Sequence, residues 1–329
     1  MTSTPTHPYA SPPDPVRTSP ASALVLGTTR TAADGLPFHR LARRTTPLRW
    51  WRPILVVLTA VVFYLALLMA VMVVLVLGAL AVPAWEPALE GTLELGSMND
   101  PVVMGGMLLL IAVMLPTTLL AVALAGRRRA GTLLSVTGRL RWPLIGRAAL
   151  VTFGVFAVFQ VIAAIVDPSA AVRPVDLARL VPALVLVVVI TPFQAVAEEV
   201  VFRGLLMQTI GAWLRHPAWA ILLPVPAFVI GHDYNAIGLV DITVFAVVAG
   251  YLTWRTGGLE AAIGMHVVNN VAGLLLGLLT GADLDATDIA PLTSALGVAY
   301  TVITAALILV WHRRSERRAQ TGATTLSLR

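Results

Sequence analysis

Two adjacent acids, Glu198 and Glu199, lie inside a long apolar run, and two histidines follow at equal intervals of 34 residues, His232 and His266. Ionisable groups within hydrocarbon are expensive and mark functional sites by default. A carboxylate held away from bulk water can act as general base toward a water molecule. A His facing it can share in activating that water or protonate a leaving amine. Asn270 follows His266 by one helical turn, so both can donate hydrogen bonds toward one point, an oxyanion-stabilising arrangement. The same residue types permit a second chemistry. Glu198, His232 and His266 would supply the two-His-one-carboxylate set of a catalytic zinc. Spacing does not separate metal-free hydrolysis from hydrolysis on a divalent ion, and no other cofactor is implied.

Each residue also has a plainer reading. Glu199 and Arg203 are spaced i, i+4 and can pair along one helix face as a structural ion pair. A lone intramembrane His more often bridges helices by hydrogen bonds than it catalyses. Glu198, however, points about 100° away from Glu199 and has no local cation. A second, unpaired carboxylate is hard to justify by packing alone. His7 and His39 precede the apolar segments and His216 and His312 lie beside loops, which leaves His232 and His266 within apolar runs.

The elements that must position these groups are membrane helices. The 329 residues are 57% hydrophobic and 12% charged, against roughly 25% charged in soluble domains. That excludes an ordinary soluble enzyme, a disordered chain and a nucleic-acid binder. All 23 basic residues are Arg, and there is no Cys, hence no disulfide, thiolate metal site or Cys nucleophile. Eight segments have the roughly 20 apolar residues a span needs: 54–82, 102–125, 148–166, 180–207, 219–235, 237–254, 259–280 and 292–311. In alternate loops 21 of the 23 Arg fall on one side. The positive-inside rule then places both termini in the cytoplasm of a multi-pass protein of the plasma (inner) membrane.

This predicts an all-α transmembrane bundle of about eight spans in four parts. Residues 1–47, rich in Pro, Ser and Thr, form a disordered cytoplasmic leader. No apolar core follows a basic start there, so a cleaved signal peptide is not expected. Residues 48–175 form a three-helix region, 176–282 carry the acids and histidines, and 283–329 hold the last span and a basic tail. One depth is awkward. His232 is some 13 residues into its segment, about 20 Å at helical rise, unless Pro224 and Pro226 break the helix.

Taken in order, the motifs read Glu198-Glu199-x-x-x-Arg203, Phe228-x-x-x-His232 and His266-x-x-x-Asn270. This series resembles the CPBP family of intramembrane proteases, which includes the type II CAAX prenyl endopeptidases and the Abi proteins of bacteriocin self-immunity. The resemblance covers residues 180–279. It implies that Glu198, helped by His232, activates the attacking water, and that His266 and Asn270 form the oxyanion hole. It also implies that Glu199 and Arg203 hold the helix in place and that Phe228 packs beside the site. The expected function is an endopeptidase acting on membrane-associated peptides or proteins, with the lipid bilayer as surroundings and no nucleic-acid partner. The alternative is a non-proteolytic scaffold or immunity-type factor that keeps the polar cluster for packing; a transporter lacks a supporting internal repeat.

Overall fold

The computed structural model describes residues 35–44, 49–83, 96–166 and 177–326, together with residues 86, 89 and 90. The described elements are helical: α1 (Arg52–Ala81), α2 (Pro101–Ala112), α3 (Met114–Leu124), α4 (Trp142–Val166), α5 (Leu177–Glu198), a π-helical continuation Glu199–Leu206, α6 (Met207–Trp213), α7 (Pro217–Leu222), α8 (Val225–Ile230), α9 (Ala236–Thr256), α10 (Glu260–Thr280) and α11 (Pro291–Leu326). Short 3-10 helices cover Phe38–Arg44 and Ala130–Leu133.

Local signals set several boundaries. The Asp100 carboxylate accepts from the N–H groups of Val102 and Val103 and opens α2 ahead of Pro101. Gly257 and Gly281, at φ 71° and 63°, close α9 and α10 in the left-handed conformation that glycine adopts without strain.

Among the described residues, seven helical stretches are long and apolar enough to cross a membrane. The eighth candidate, 219–235, is not a continuous span. It is the pair α7–α8, interrupted by a turn at Leu223 and Pro224, as prolines inside a helix require. The pair still traverses the bundle beside α9. Gly250 packs on Ile221, Phe228 packs on Phe245, and Asn235 caps the start of α9. The correction is thus one broken passage among eight, and the alternation of ends survives it.

Two sets of contacts tie the ends of the bundle. At the Arg-rich end, Arg141 grips Glu260 through two hydrogen bonds of 2.7 and 2.6 Å and donates to the Thr256 carbonyl at 2.9 Å. Arg128 donates to Gln208 and Thr132 at 2.6 and 2.8 Å. Burial first, and the nearby Arg44 second, push its guanidinium pKa down to about 10. At the opposite end, Asn99 donates to Asp283, whose carboxyl is thereby held below its usual range, and Asn235 donates to Asp288. The indole N–H of Trp213 donates to the Trp50 carbonyl at 2.9 Å, and Arg147 lies over the Trp311 ring. The start of α1 and the last part of α11 therefore share the Arg-rich end.

Residues 1–34 and 45–48 of the expected leader lie outside the described residues. The piece between is structured, a departure from the disorder expected up to 47. Phe38 and Leu41 are fully buried, each contributing roughly 1.5–3 kcal/mol. Arg43 donates to the Ala212 carbonyl at 2.7 Å, and His39 Nε2 lies 3.1 Å from the Arg215 carbonyl. Burial, ahead of the Arg215 carbonyl's opposing pull, lowers the His39 pKa, so a neutral ring holds this contact. The short helix sits so close to α6 that a Cβ on Gly211 would collide with the His39 backbone. Gly211→Val is expected to lift residues 38–44 off the bundle at a cost of about 1–3 kcal/mol, read as faster cleavage there by a soluble protease; an unchanged cleavage pattern would contradict it.

Candidate active site

The two acids stand where the helix changes type. Glu198 ends α5, and Glu199 opens the π-helical segment. Such wide turns are rare and occur frequently at functional sites, because they re-aim side chains that a regular helix would place elsewhere.

Glu199 is fully buried and committed on one oxygen. Its Oε1 accepts from Arg203 Nη1 at 2.9 Å and from His266 Nδ1 at 2.8 Å. Arg203 is itself buried. Its guanidinium carbon lies 4.3 Å from the Phe228 ring centre and 5.8 Å from that of Phe245, and Nη2 reaches the Ala246 carbonyl at 3.4 Å. Cation–π contact of this kind helps offset the loss of water around a buried guanidinium. The expected pairing of Glu199 with Arg203 is present, and Phe228 supplies the seat for that cation.

Glu198 differs. It is 8% exposed, and its Oε2, like the second oxygen of Glu199, is buried without a hydrogen-bond partner. That oxygen lies 3.3 Å from His266 Nε2. His266 therefore stands between the two acids, one ring nitrogen toward each. With Nδ1–H donating to Glu199, Nε2 is left facing Glu198 and Asn270. Asn270 Nδ2 lies 3.1 Å from His266 Nε2 and donates to Gln194 Oε1 at 3.0 Å. Asn269 and Asn270 are half-buried, so the accessible edge of the cluster is on this side of α10.

His232 is placed apart. It follows the turn that ends α8, its backbone N–H donating to the Val229 carbonyl at 3.0 Å and Nδ1 lying 2.8 Å from the Phe228 carbonyl. The Phe228 ring contacts both histidines, with its centre 4.7 Å from that of His232 and 6.4 Å from that of His266. The break in the fifth passage brings His232 to this position, which an unbroken helix entering from the Arg-rich end would not. Depth agrees for the rest. His266 is six residues into α10, about 9 Å from the Arg-rich end.

Among the described residues no three metal-ligating side chains converge as a site. Glu198, His232 and His266 therefore do not form a zinc ligand set as arranged, and His266 Nδ1 is taken by Glu199. Two residues join the cluster that the motifs did not include. Gln194 carried a signal, being an amide one turn before Glu198 on the same face. Phe245, whose ring centre is 4.9 Å from that of His266, carried none.

Fold and site together define a polytopic helical membrane protein with a buried acid–histidine–amide cluster. Residues 179–272 match the family described as type II CAAX prenyl endopeptidase Rce1-like, which bears out the resemblance carried by the three motifs over that segment. A relative, the uncharacterized protein YyaK of Bacillus subtilis (strain 168), is 25% identical over 197 residues, 56% of this chain. The match spans 65% of that relative's length. No solved structure matches the chain.

Proposed function

We propose that the chain is an intramembrane endopeptidase that hydrolyses peptide bonds of membrane-associated peptides or proteins. The observation that carries this reading is His266 held between a committed acid, Glu199, and an uncommitted one, Glu198, inside an apolar bundle. The family match over the same residues supports it.

In this reading Glu198 takes a proton from a water whose oxygen attacks the scissile carbonyl carbon. The carbonyl oxygen becomes an oxyanion; Asn270 donates to it, and His266 joins as donor once Nε2 also carries a proton, since Nδ1–H stays on Glu199. The proton held on Glu198 then passes to the amide nitrogen as the C–N bond breaks, leaving a carboxylic acid and an amine. Arg203 and Glu199 keep His266 in one orientation, and Gln194 does the same for Asn270. No step is assigned to His232, whose ring packs on Phe228. No step is routed through a metal, because the cluster does not supply the ligand set.

The test is cleavage in membranes. Wild type and Glu198→Gln are expressed in matched cells and their membrane proteomes compared. Uncleaved proteins should accumulate with the variant. Identical proteomes, with no peptide turned over by purified wild type, would favour the scaffold reading.

Orientation belongs to the same proposal. The Arg-rich end faces the cytoplasm of the plasma (inner) membrane, with both termini there. A reporter fused after Arg318 should read cytoplasmic and one inserted within residues 86–100 should read external; two readings on the same side would refute the eight-passage topology.

A further inference from the structure

Away from the acids, two concavities open between α4 and α11 and meet at Trp311. The first, of about 690 Å³, includes the charged residues Arg139, Arg147 and Glu316 in its lining. The second, of about 640 Å³, is apolar along Leu150, Gly154, Val158 and Ile303, with Arg314 at its rim. Arg147 lies 4.5 Å over the Trp311 ring, at the junction. Arg139, Arg147 and Arg314 are exposed. Glu316 lies 3.4 Å from His312 Nε2, and Arg141, also in the lining, is neutralised by Glu260. The mouth therefore carries surplus positive charge. Nothing lies within 4 Å of the point where a Cβ on Gly154 would stand, so the wall is open there.

Depth identifies the occupant. From Arg147 to Val158 on α4, and from Arg314 to Ile303 on α11, the groove runs 11 residues, about 16 Å at helical rise. That is half of a hydrocarbon layer about 30 Å thick. A partner's transmembrane helix would need the whole thickness. A molecule with an anionic head at the interface and tails in one leaflet needs this half. Trp311 stands at the level of Arg147, and Trp142 lies five residues nearer the Arg-rich end, aromatic residues of the kind enriched at a membrane–water boundary.

We infer that this groove binds one anionic diacyl phospholipid, its phosphate between Arg147 and Arg314 and an acyl chain along the Gly154 wall. Basic pockets between spanning helices on the cytoplasmic side take such head groups. The inference is independent of hydrolysis, and its test needs no substrate.

The full-length protein in neutral detergent is titrated with dioleoyl-phosphatidylglycerol, dioleoyl-phosphatidylcholine or inorganic phosphate, and bound lipid is counted by native mass spectrometry. Wild type should retain one phosphatidylglycerol in preference to phosphatidylcholine. Arg147→Gln with Arg314→Gln should weaken retention about thirtyfold, at the usual contribution of a basic residue near an anionic lipid. Gly154→Trp, which fills open space, should abolish it with an unchanged melting temperature in lipid-free detergent. Arg127→Gln with Arg129→Gln removes equal charge elsewhere and should leave retention intact. Equal retention of both lipids, equal loss in the control pair, or full competition by inorganic phosphate would overturn the inference. So would a wild-type dimer that Gly154→Trp converts to monomer, since a second copy would then be the occupant.

Discussion

Glu198→Gln is expected to lower turnover of a membrane peptide by about 10²–10⁴-fold, the usual loss with a general base, while the melting temperature in detergent stays within a few degrees of wild type. Gln has the size of Glu and fills the same space, so packing is kept. It cannot take a proton, and the Oε2 position facing His266 Nε2 at 3.3 Å is where that ability matters. Because this oxygen holds no hydrogen bond in the folded chain, its replacement strands no partner. Turnover by Glu198→Gln within tenfold of wild type would remove Glu198 from the chemistry.

The adjacent acid should behave in the opposite way. Glu199→Ala leaves Arg203 buried without its counter-charge and His266 without the acceptor for Nδ1. Breaking one partner of a buried ion pair costs about 3–5 kcal/mol, a large share of the stability of most domains. The expected result is a much lower yield of folded protein and a melting temperature depressed well below that of Glu198→Gln. Adding Arg203→Ala should cost less than the sum of the single changes, because the stranded charge is then gone. If Glu199→Ala melts normally yet loses turnover, the roles of the two acids are reversed.

Much of this was legible in the sequence, and what was not has physical reasons. The spans and the Arg-rich end follow from hydropathy and charge, which the bilayer enforces strongly. The pairing of Glu199 with Arg203 follows from i, i+4 spacing, and the break in the fifth passage from Pro224 and Pro226. The π-helical segment was not legible, because a widened turn changes backbone bonding without changing residue types. The position of His232 against Phe228 depends on that break and on α9, neither of which spacing specifies. The docked piece at Phe38–Arg44 was missed because composition averaged over a Pro-rich stretch hides two apolar side chains one turn apart. Gln194 shows the converse: a polar residue one turn before the acids was visible but had no motif to recommend it.

The broken fifth passage bears on biogenesis. Each of α7 and α8 has six residues, far short of the roughly 20 that partition into a bilayer unaided. Backbone groups at the turn and in the irregular stretch before Asn235 need neighbouring protein to satisfy them. This stretch therefore cannot be released into lipid on its own as the ribosome delivers it; it must wait for α9 and enter as a hairpin with it. Phe228 and His232 reach a cluster whose acids are already in the membrane, and His266 and Asn270 follow on α10. A nascent chain would thus carry its acids without the rest of their surroundings, and the order of synthesis itself would keep the cluster incomplete until the chain is whole.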